Sequence, residues 1–417
     1  MLKGVVASAV LLLVVVLVVR TVHLSRRPPQ TSECKPTDSD FIPLNDERLQ
    51  RFQKAISFES VSRDDGDSNS DEMFRYGEFI IASFPHIHRH SPLVTWERVN
   101  NLSLLYHVQG SDPSLRPYLL MAHTDVVPVT NLDQWNAPPF SGEVKDGFIY
   151  GRGTIDDKNN VMGILEATEF MLASKIRPQR SFYVALGHDE EIRGYQGAGL
   201  VAKRLAEKGV KEFEFIVDEG MAVFEGIIDG VSSPVASVGV SEKGMIVVKL
   251  SVEMPPGHSS MPPKETPITV LANAVKRLAD NPQPSMLGYG VETDMFESLV
   301  PEVLDYDRAV IGDPRVKMEV IQAMEPHPVA GYRDTDFGYQ VTIMVGNTDT
   351  IHYLNFTGDV YRFSPTHMFP GDPERFHGIN ERMSVKNYEQ VINFFYHLIR
   401  NADQAGLSPA HSTHSDL

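Results

Sequence analysis

Short apolar runs alternate along this chain with longer stretches whose apolar residues recur at helical spacing. PYLLMAH (117–123), SFYVALG (181–187) and FEFIVDEG (213–220) are runs of strand length. NNVMGILEATEFMLASK (159–175) and GLVAKRLAEKG (199–209) carry the helical period and fall between those strands. Strands that alternate with helices predict an α/β domain whose central, largely parallel sheet is flanked by helices.

The texture changes near residue 241. GMIVVKLSVEM (244–254) shows β-branched alternation, a Gly-His-Ser-Ser turn follows, and ETPITVLANAVKRLAD (265–280) reads as a helix. Residues 281–340 are irregular and rich in Pro, Asp and Met, after which DVYRFSP and the amphipathic SVKNYEQVINFFYHLIRNAD (384–403) return to the α/β texture. The expected organisation is one α/β domain in two parts, 46–240 and 341–405, split by a small α+β insertion at 241–340. A Pro/Ser/Thr/Asp-rich linker at 28–45 precedes it and a flexible tail at 406–417 follows.

The first residues obey neither pattern. In MLKGVVASAVLLLVVVLVVRTVHLSRRPP an uncharged run from Gly4 to Val19 follows Lys3. It is long for a signal-peptide core and short for a spanning helix, which needs ~20 residues. Residues 1–27 are therefore read as a signal peptide or a signal anchor. Either places the remainder in the secretory-pathway lumen or outside the cell, secreted or held by an N-terminal membrane anchor. The sequons at Asn101 (NLS) and Asn355 (NFT) are compatible with a glycoprotein.

Composition narrows the chemistry. A net charge of −17 argues against a nucleic-acid surface, which needs clustered Lys and Arg. The single cysteine, Cys34, rules out an intramolecular disulfide and a cysteine-based zinc site. Any metal must be held by His, Asp and Glu.

One stretch raises that possibility directly. SFYVALGHDEEIRGYQGAG drives a strand into Asp189, Glu190 and Glu191. Adjacent carboxylates repel, so a cation, a shared proton or plain exposure to water must compensate. Other strand ends carry the same kinds of residue: His123 and Asp125 after one, Asp218 and Glu219 after another. Asp156 and Asp157 lie in a glycine-flanked loop before a helix, and His377 stands beside a glycine in RFHGINE. Each piece alone is ordinary, since acids favour helix N-termini and solvated loops. As a set they supply two histidines and at least three carboxylates at the strand ends where α/β proteins gather functional groups. That is enough for a dinuclear site, in which two zinc ions share a carboxylate and a water. A further carboxylate must then accept the water's proton, which gives neighbouring glutamates separate jobs. Asp125 is placed to accept the second ring N–H of His123.

HTDVVP, GRGTIDDK, GHDEE, VDEG, GHSS and HGINE, in that order, resemble the M-20 family of dinuclear zinc peptidases and acylases, and the resemblance spans about residues 45–405. It implies two Zn2+ as the cofactors. Asp156 would bridge them, His123 and Asp218 would complete one site, and Glu191 and His377 the other. Glu190 would be the general base, Asp125 would orient His123, and His258 of the insertion would stabilise the tetrahedral oxyanion. The Asp156–Asp157 peptide would be cis. The implied reaction is hydrolysis, and reverse condensation, of the amide between a fatty acyl group and an amino acid, so the partner is a small-molecule acyl amino acid. Dipeptidase or carboxypeptidase chemistry of the same family is the alternative. The insertion corresponds to the family's lid and dimerisation domain but is too short for it. The strand bearing the family's substrate-gripping asparagine and arginine is absent, and a second gap falls in DTDFGYQVTIMVGNTD. A homodimer would form only if the shortened lid permits, and a catalytically impaired form that only binds zinc is a further reading.

Overall fold

The computed structural model describes residues 41–63, 68–228, 231, 234–242, 248–258, 260–281, 339–344 and 346–403. The amino-terminal segment 1–27, Cys34, most of the linker, residues 282–338 of the insertion and the tail lie outside the described residues. The described fold belongs to the compact unit that begins at Ile42.

Helices α1 (Asp46–Ile56) and α2 (Ser70–Ser83) open it, each capped by an asparagine, Asn45 or Asn69, whose side chain accepts a first-turn N–H. Strands β1 (Val94–Val99), β2 (Ser103–Val108) and β3 (Tyr118–His123) follow, then the short pair β4 (Val144–Lys145) and β5 (Phe148–Tyr150). Next come α3 (Lys158–Ala173), β6 (Phe182–Gly187), α4 (Ala198–Glu207), β7 (Ile216–Phe224) and β8 (Val235–Glu242). Helix α5 (Pro267–Asp280) lies in the insertion and buries none of its residues. The chain returns through β9 (Tyr339–Met344), β10 (Val360–Met368), β11 (Arg382–Ser384) and α6 (Val385–Ala402).

Eight of the described strands form one sheet in the order β1-β2-β6-β3-β7-β10-β8-β9. The central four, β6, β3, β7 and β10, run parallel. Antiparallel β1 and β2 extend one side, and β8 pairs antiparallel with β10 on the other, so the whole is a mixed sheet. The parallel centre explains the unbroken apolar runs, because its strands are covered on both faces. Tyr118, Leu120 and Ala122 of β3 face one core with α1, α3 and α6, while Leu119 and Met121 face a second core beneath α4. β6 divides its side chains in the same way.

Two elements differ from the sequence reading. Residues 248–254, the described part of the expected strand 244–254, have no regular secondary structure. The strand at this border is β8, whose VASVGVSE alternates small and half-buried residues and lacks a strong apolar run. Among the described residues no helix is long and apolar enough to cross a membrane. Both sequon asparagines, Asn101 and Asn355, are exposed.

Candidate metal centre

The carboxyl ends of the parallel strands converge on one cluster. His123 ends β3 and is buried. Its Nδ1 lies 3.0 Å from the Asp125 carbonyl oxygen and 3.3 Å from Asp125 Oδ1. Its Nε2 faces the other way, 3.0 Å from Asp156 Oδ1 and 3.3 Å from Glu219 Oε1. The second oxygen of Asp156 lies 3.0 Å from His377 Nε2, and that nitrogen is 3.3 Å from Glu191 Oε2. Asp156 thus stands between two imidazoles and offers one oxygen to each.

The three consecutive acids after β6 point to different partners. Asp189 turns back to accept the N–H groups of Gln196 and Gly197 at 2.8 and 2.7 Å. Glu191 goes to His377. Glu190 and Glu191 both donate their backbone N–H to the Asp125 carboxylate, at 3.1 and 3.2 Å. Asp125 also accepts the Ser62 hydroxyl at 2.7 Å, so one buried carboxylate fixes His123 and the glutamate loop together.

The Asp156–Asp157 peptide is cis, as the resemblance implied. Asp157 precedes α3 but makes no capping hydrogen bond; its Oδ2 accepts the His123 N–H at 3.2 Å. The loop that carries both acids is tied to the His377 loop by Arg152, which donates to Glu381 at 2.6 Å and to the Gly378 carbonyl at 2.9 Å.

Protonation reflects the crowding. Burial alone would lower the His123 imidazole, but the carboxylates of Glu219, Asp125 and Asp156 hold it well above its ordinary value. Hydrogen bonds that the His377 ring donates to Asp156 and Glu191 push its pKa up to about 10. Burial raises Asp156 in principle, yet the two histidines outweigh it and keep this carboxyl below its usual range. Burial and the neighbouring Asp156 carboxylate push Glu191 up to about 7 and Glu219 to about 8. Burial, then the Glu219 charge, holds Glu190 well above the carboxylate range. Acids outnumber bases here, and retained protons balance them; a cation can take the place of those protons.

The donors fit such a cation. Ligating atoms of His123, Asp156 and Glu191, and again of His123, Asp157 and Glu219, lie within 4.8 Å of one another. The 3.3 Å His–Glu spacings match the edge of a tetrahedron with bonds of about 2.0 Å, the length of zinc–imidazole and zinc–carboxylate bonds. Glu191 Oε1 is buried and has no hydrogen-bond partner, as a free ligand atom would be.

Of the residues named from sequence, His123, Asp125, Asp156, Glu191 and His377 meet in this cluster, and Glu190 stands at its edge. Glu219 Oε1 lies 3.3 Å from His123 Nε2, whereas Asp218, also buried, makes no ion pair with His123 among the described residues and keeps its Oδ2 without a hydrogen-bond partner there. The cause is a register shift. Arg362 of β10 pairs with Asp218, but the next residue, Phe363, pairs with Met221, so Glu219 and Gly220 bulge out of the ladder. A bulge re-aims a side chain that strict alternation would point elsewhere. β7 accordingly runs on to Phe224 instead of ending at its acids. The glycine in VDEG was the available signal. His258 is exposed, and its Nδ1 is engaged by Ser260; none of its hydrogen bonds reaches the cluster.

Comparison with known proteins follows the same line. The sequence profile of peptidase family M20/M25/M40 matches residues 119–401. The N-fatty-acyl-amino acid synthase/hydrolase of Danio rerio is 37% identical over 446 aligned positions, covering 86% of each chain. That alignment is longer than the present chain, so the relative carries residues with no counterpart here. The probable carboxypeptidase S-like 2 of Dictyostelium discoideum is 34% identical, covering 97% of this chain and 95% of its own. Among solved structures, human carnosine dipeptidase 1 superposes with a TM-score of 0.55 at 13% identity, covering 86% of this chain and 97% of its own. The dipeptidase Dug1p of Saccharomyces cerevisiae gives 0.57 at 14%, covering 86% and 96%. These two likenesses concern the fold.

Proposed function

This chain belongs to peptidase family M20/M25/M40 and is an enzyme of amide bonds; from that premise we propose that it hydrolyses, and in reverse forms, the amide between a fatty acyl group and an amino acid. The observation that carries the chemistry is Asp156, with one oxygen on His123 and the other on His377. It supports a centre of two zinc ions with Asp156 shared, His123 and Glu219 on one side, and His377 and Glu191 on the other. When bound, the pair supplies Lewis acidity and a water of lowered pKa. Glu190 would accept a proton from the attacking water on its carboxylate and pass it to the leaving amine nitrogen. Asp125 holds the N–H of His123 at Nδ1, so that Nε2, which faces Asp156 and Glu219, would be the nitrogen to bind metal once its proton is displaced. His258, exposed in the insertion, is proposed to donate to the tetrahedral oxyanion, from this chain or from a second copy.

The substrate class rests on the relatives that are N-fatty-acyl-amino acid synthase/hydrolases at 35–37% identity. A second reading, removal of a C-terminal residue from a peptide, is favoured by the carboxypeptidase S-like relative, whose alignment takes in nearly the whole chain. We further propose that residues 1–27 route the protein into the secretory pathway, as signal peptide or anchor.

The test pairs metal content with turnover of an N-oleoyl amino acid and of dipeptides by the purified chain, with Glu190→Gln as control. Two zinc ions per chain and Glu190-dependent release of oleate are expected. Cleavage of peptides but not of the acyl amino acid would transfer the proposal to the second reading. Zinc retained with neither substrate turned over would mark a form that only binds metal.

A further inference from the structure

The turn that follows the insertion is wedged against the loop that carries Glu190. Thr348 caps the short turn Asp349–His352. Glu242, the last residue of β8, fixes that cap: its Oε1 accepts the Thr348 N–H at 3.0 Å and the hydroxyls of Thr348 and Thr350 at 2.5 and 3.0 Å. The same oxygen is 2.8 Å from Arg362 Nε on β10. The end of β8, where the chain leaves for the insertion, and the turn after β9 are thereby tied to β10.

This anchor sends the Asp349 side chain into the hollow of the loop between β6 and α4. Asp349 is 5% exposed. A Cβ added to Gly187, immediately before His188, would come within 2.6 Å of Asp349 Oδ2. A Cβ added to Gly194, three residues past Glu191, would come within 1.9 Å of Oδ1. The loop has no side chain at the two points where the carboxylate enters. On the same turn, His352 Nε2 lies 2.8 Å from the Arg193 carbonyl oxygen, a second contact to the same loop. Asp349 Oδ1 has no hydrogen-bond partner. Buried polar atoms without partners are rare in native folds and call for a reason.

We propose that Asp349 is a positioning residue for Glu190: its carboxyl group fills the hollow of loop 187–194 and holds the glutamates at the height from which Glu190 meets the reacting water. The catalytic part rests on the reading of Glu190 as the base; the contact with the loop does not. The Asp125 carboxylate grips the loop by its N–H groups from one side, and Asp349 props it from the other. Shape, more than charge, is the active property, because Oδ1 makes no hydrogen bond that an amide would lose.

The test compares Asp349→Ala, Asp349→Asn, Gly187→Ala and the double variant Gly187→Ala/Asp349→Ala in the full chain. Displacing a reacting group by about 1 Å can lower a rate by about 100-fold. Asp349→Ala is expected to lower kcat by roughly 10- to 100-fold on that basis, with KM and metal content unchanged. Asp349→Asn, which fills the same space, is expected to retain most of kcat. Gly187→Ala is expected to fall as Asp349→Ala does, and removing the Asp349 carboxylate in that background should restore part of the rate, since that carboxylate is the only close obstacle to the new methyl group. Hydrogen exchange supplies a readout that needs no substrate. Amides of 187–197 should exchange faster in Asp349→Ala while those of α3 keep their protection, and Asp349→Asn should restore the loop. If the wild-type chain turns over no amide, the exchange data still decide the contact. Unchanged exchange in the loop of Asp349→Ala would overturn the proposal. So would wild-type kcat in that variant, or strictly additive effects in the double variant. Parallel loss of metal, global protection and rate would also overturn it, by reducing Asp349 to a residue of general stability.

Discussion

Arg152 and Glu381 meet at 2.6 Å with both side chains almost wholly buried, 229 positions apart in the chain. Glu381 also accepts the Ile155 N–H at 2.9 Å, just before Asp156, while Arg152 donates to Gly378, just after His377. The pair therefore sets the distance between the two halves of the cluster. Removing one partner of a buried ion pair leaves an uncompensated charge and typically destabilises by about 3–5 kcal/mol. Glu381→Ala is expected to show a loss of that size in urea unfolding, together with weaker metal binding in titration. Unchanged unfolding would mean that water reaches Arg152 and the pair is not a tie.

Glu219 and Asp218 are alternatives for one role, and the register shift in β7 brings Glu219 nearer to His123. Glu219→Ala is expected to lose one bound metal ion per chain after exhaustive dialysis, because His123 and Asp156 would be left without their third donor. Asp218→Asn, which keeps the side chain's shape, is expected to retain both ions. Metal analysis of the two variants settles the assignment, and the reverse pattern would return the ligand role to Asp218.

The same strand marks the limit of what the sequence discloses. β3, β6, α3 and α6 are legible because each is a strong apolar pattern, and the residues delivered at their ends, His123, Glu190, Glu191 and Asp156, follow once the elements are placed. The resemblance names Asp218, and alternation says nothing about where two residues will leave a ladder and bring Glu219 to His123. β8 was passed over because its small residues carry little apolar signal. Arg152, Glu381, Glu242 and Asp349 act through partners far away in the chain, and no local pattern announces them.

Glu190 is the residue whose loss should separate chemistry from binding. A positioned general base contributes about 100- to 10,000-fold to a rate. Glu190→Gln is expected to lower kcat within that range while the metal content stays at the wild-type level, as read by steady-state kinetics and elemental analysis of one sample. The fold should not suffer, because burial already disfavours charge at this position. If metal is lost along with the rate, Glu190 is a ligand and the base lies elsewhere.

Removal of metal should make stability fall with rising pH. In the metal-free protein His377 is raised from 6.5 to about 10, and Glu191 and Glu219 from 4.5 to about 7 and about 8. Every one of these shifts is upward, so these groups bind more protons in the native state than in the unfolded chain, and linkage gives their contribution a negative slope against pH; Lys158, lowered by burial from 10.5 to about 7, contributes the opposite slope above that value with or without metal. The contribution of each group is fully present below its unfolded value and is lost as pH rises through its folded value. The window for the glutamates runs from about 4.5 to about 8, and that for His377 from about 6.5 to about 10. His377 is more than half exposed, so solvent screening makes its share the smaller one. Asp156, depressed by the two histidines, contributes the opposite slope only in strong acid, below this range. Added zinc displaces the retained protons, so its stabilising effect should grow with pH until they are gone. Thermal unfolding midpoints of chelator-treated protein between pH 5 and pH 9, with and without zinc, are expected to diverge steadily. Midpoints with and without zinc that keep a constant separation across that range would show that the cluster holds no excess protons for the metal to displace.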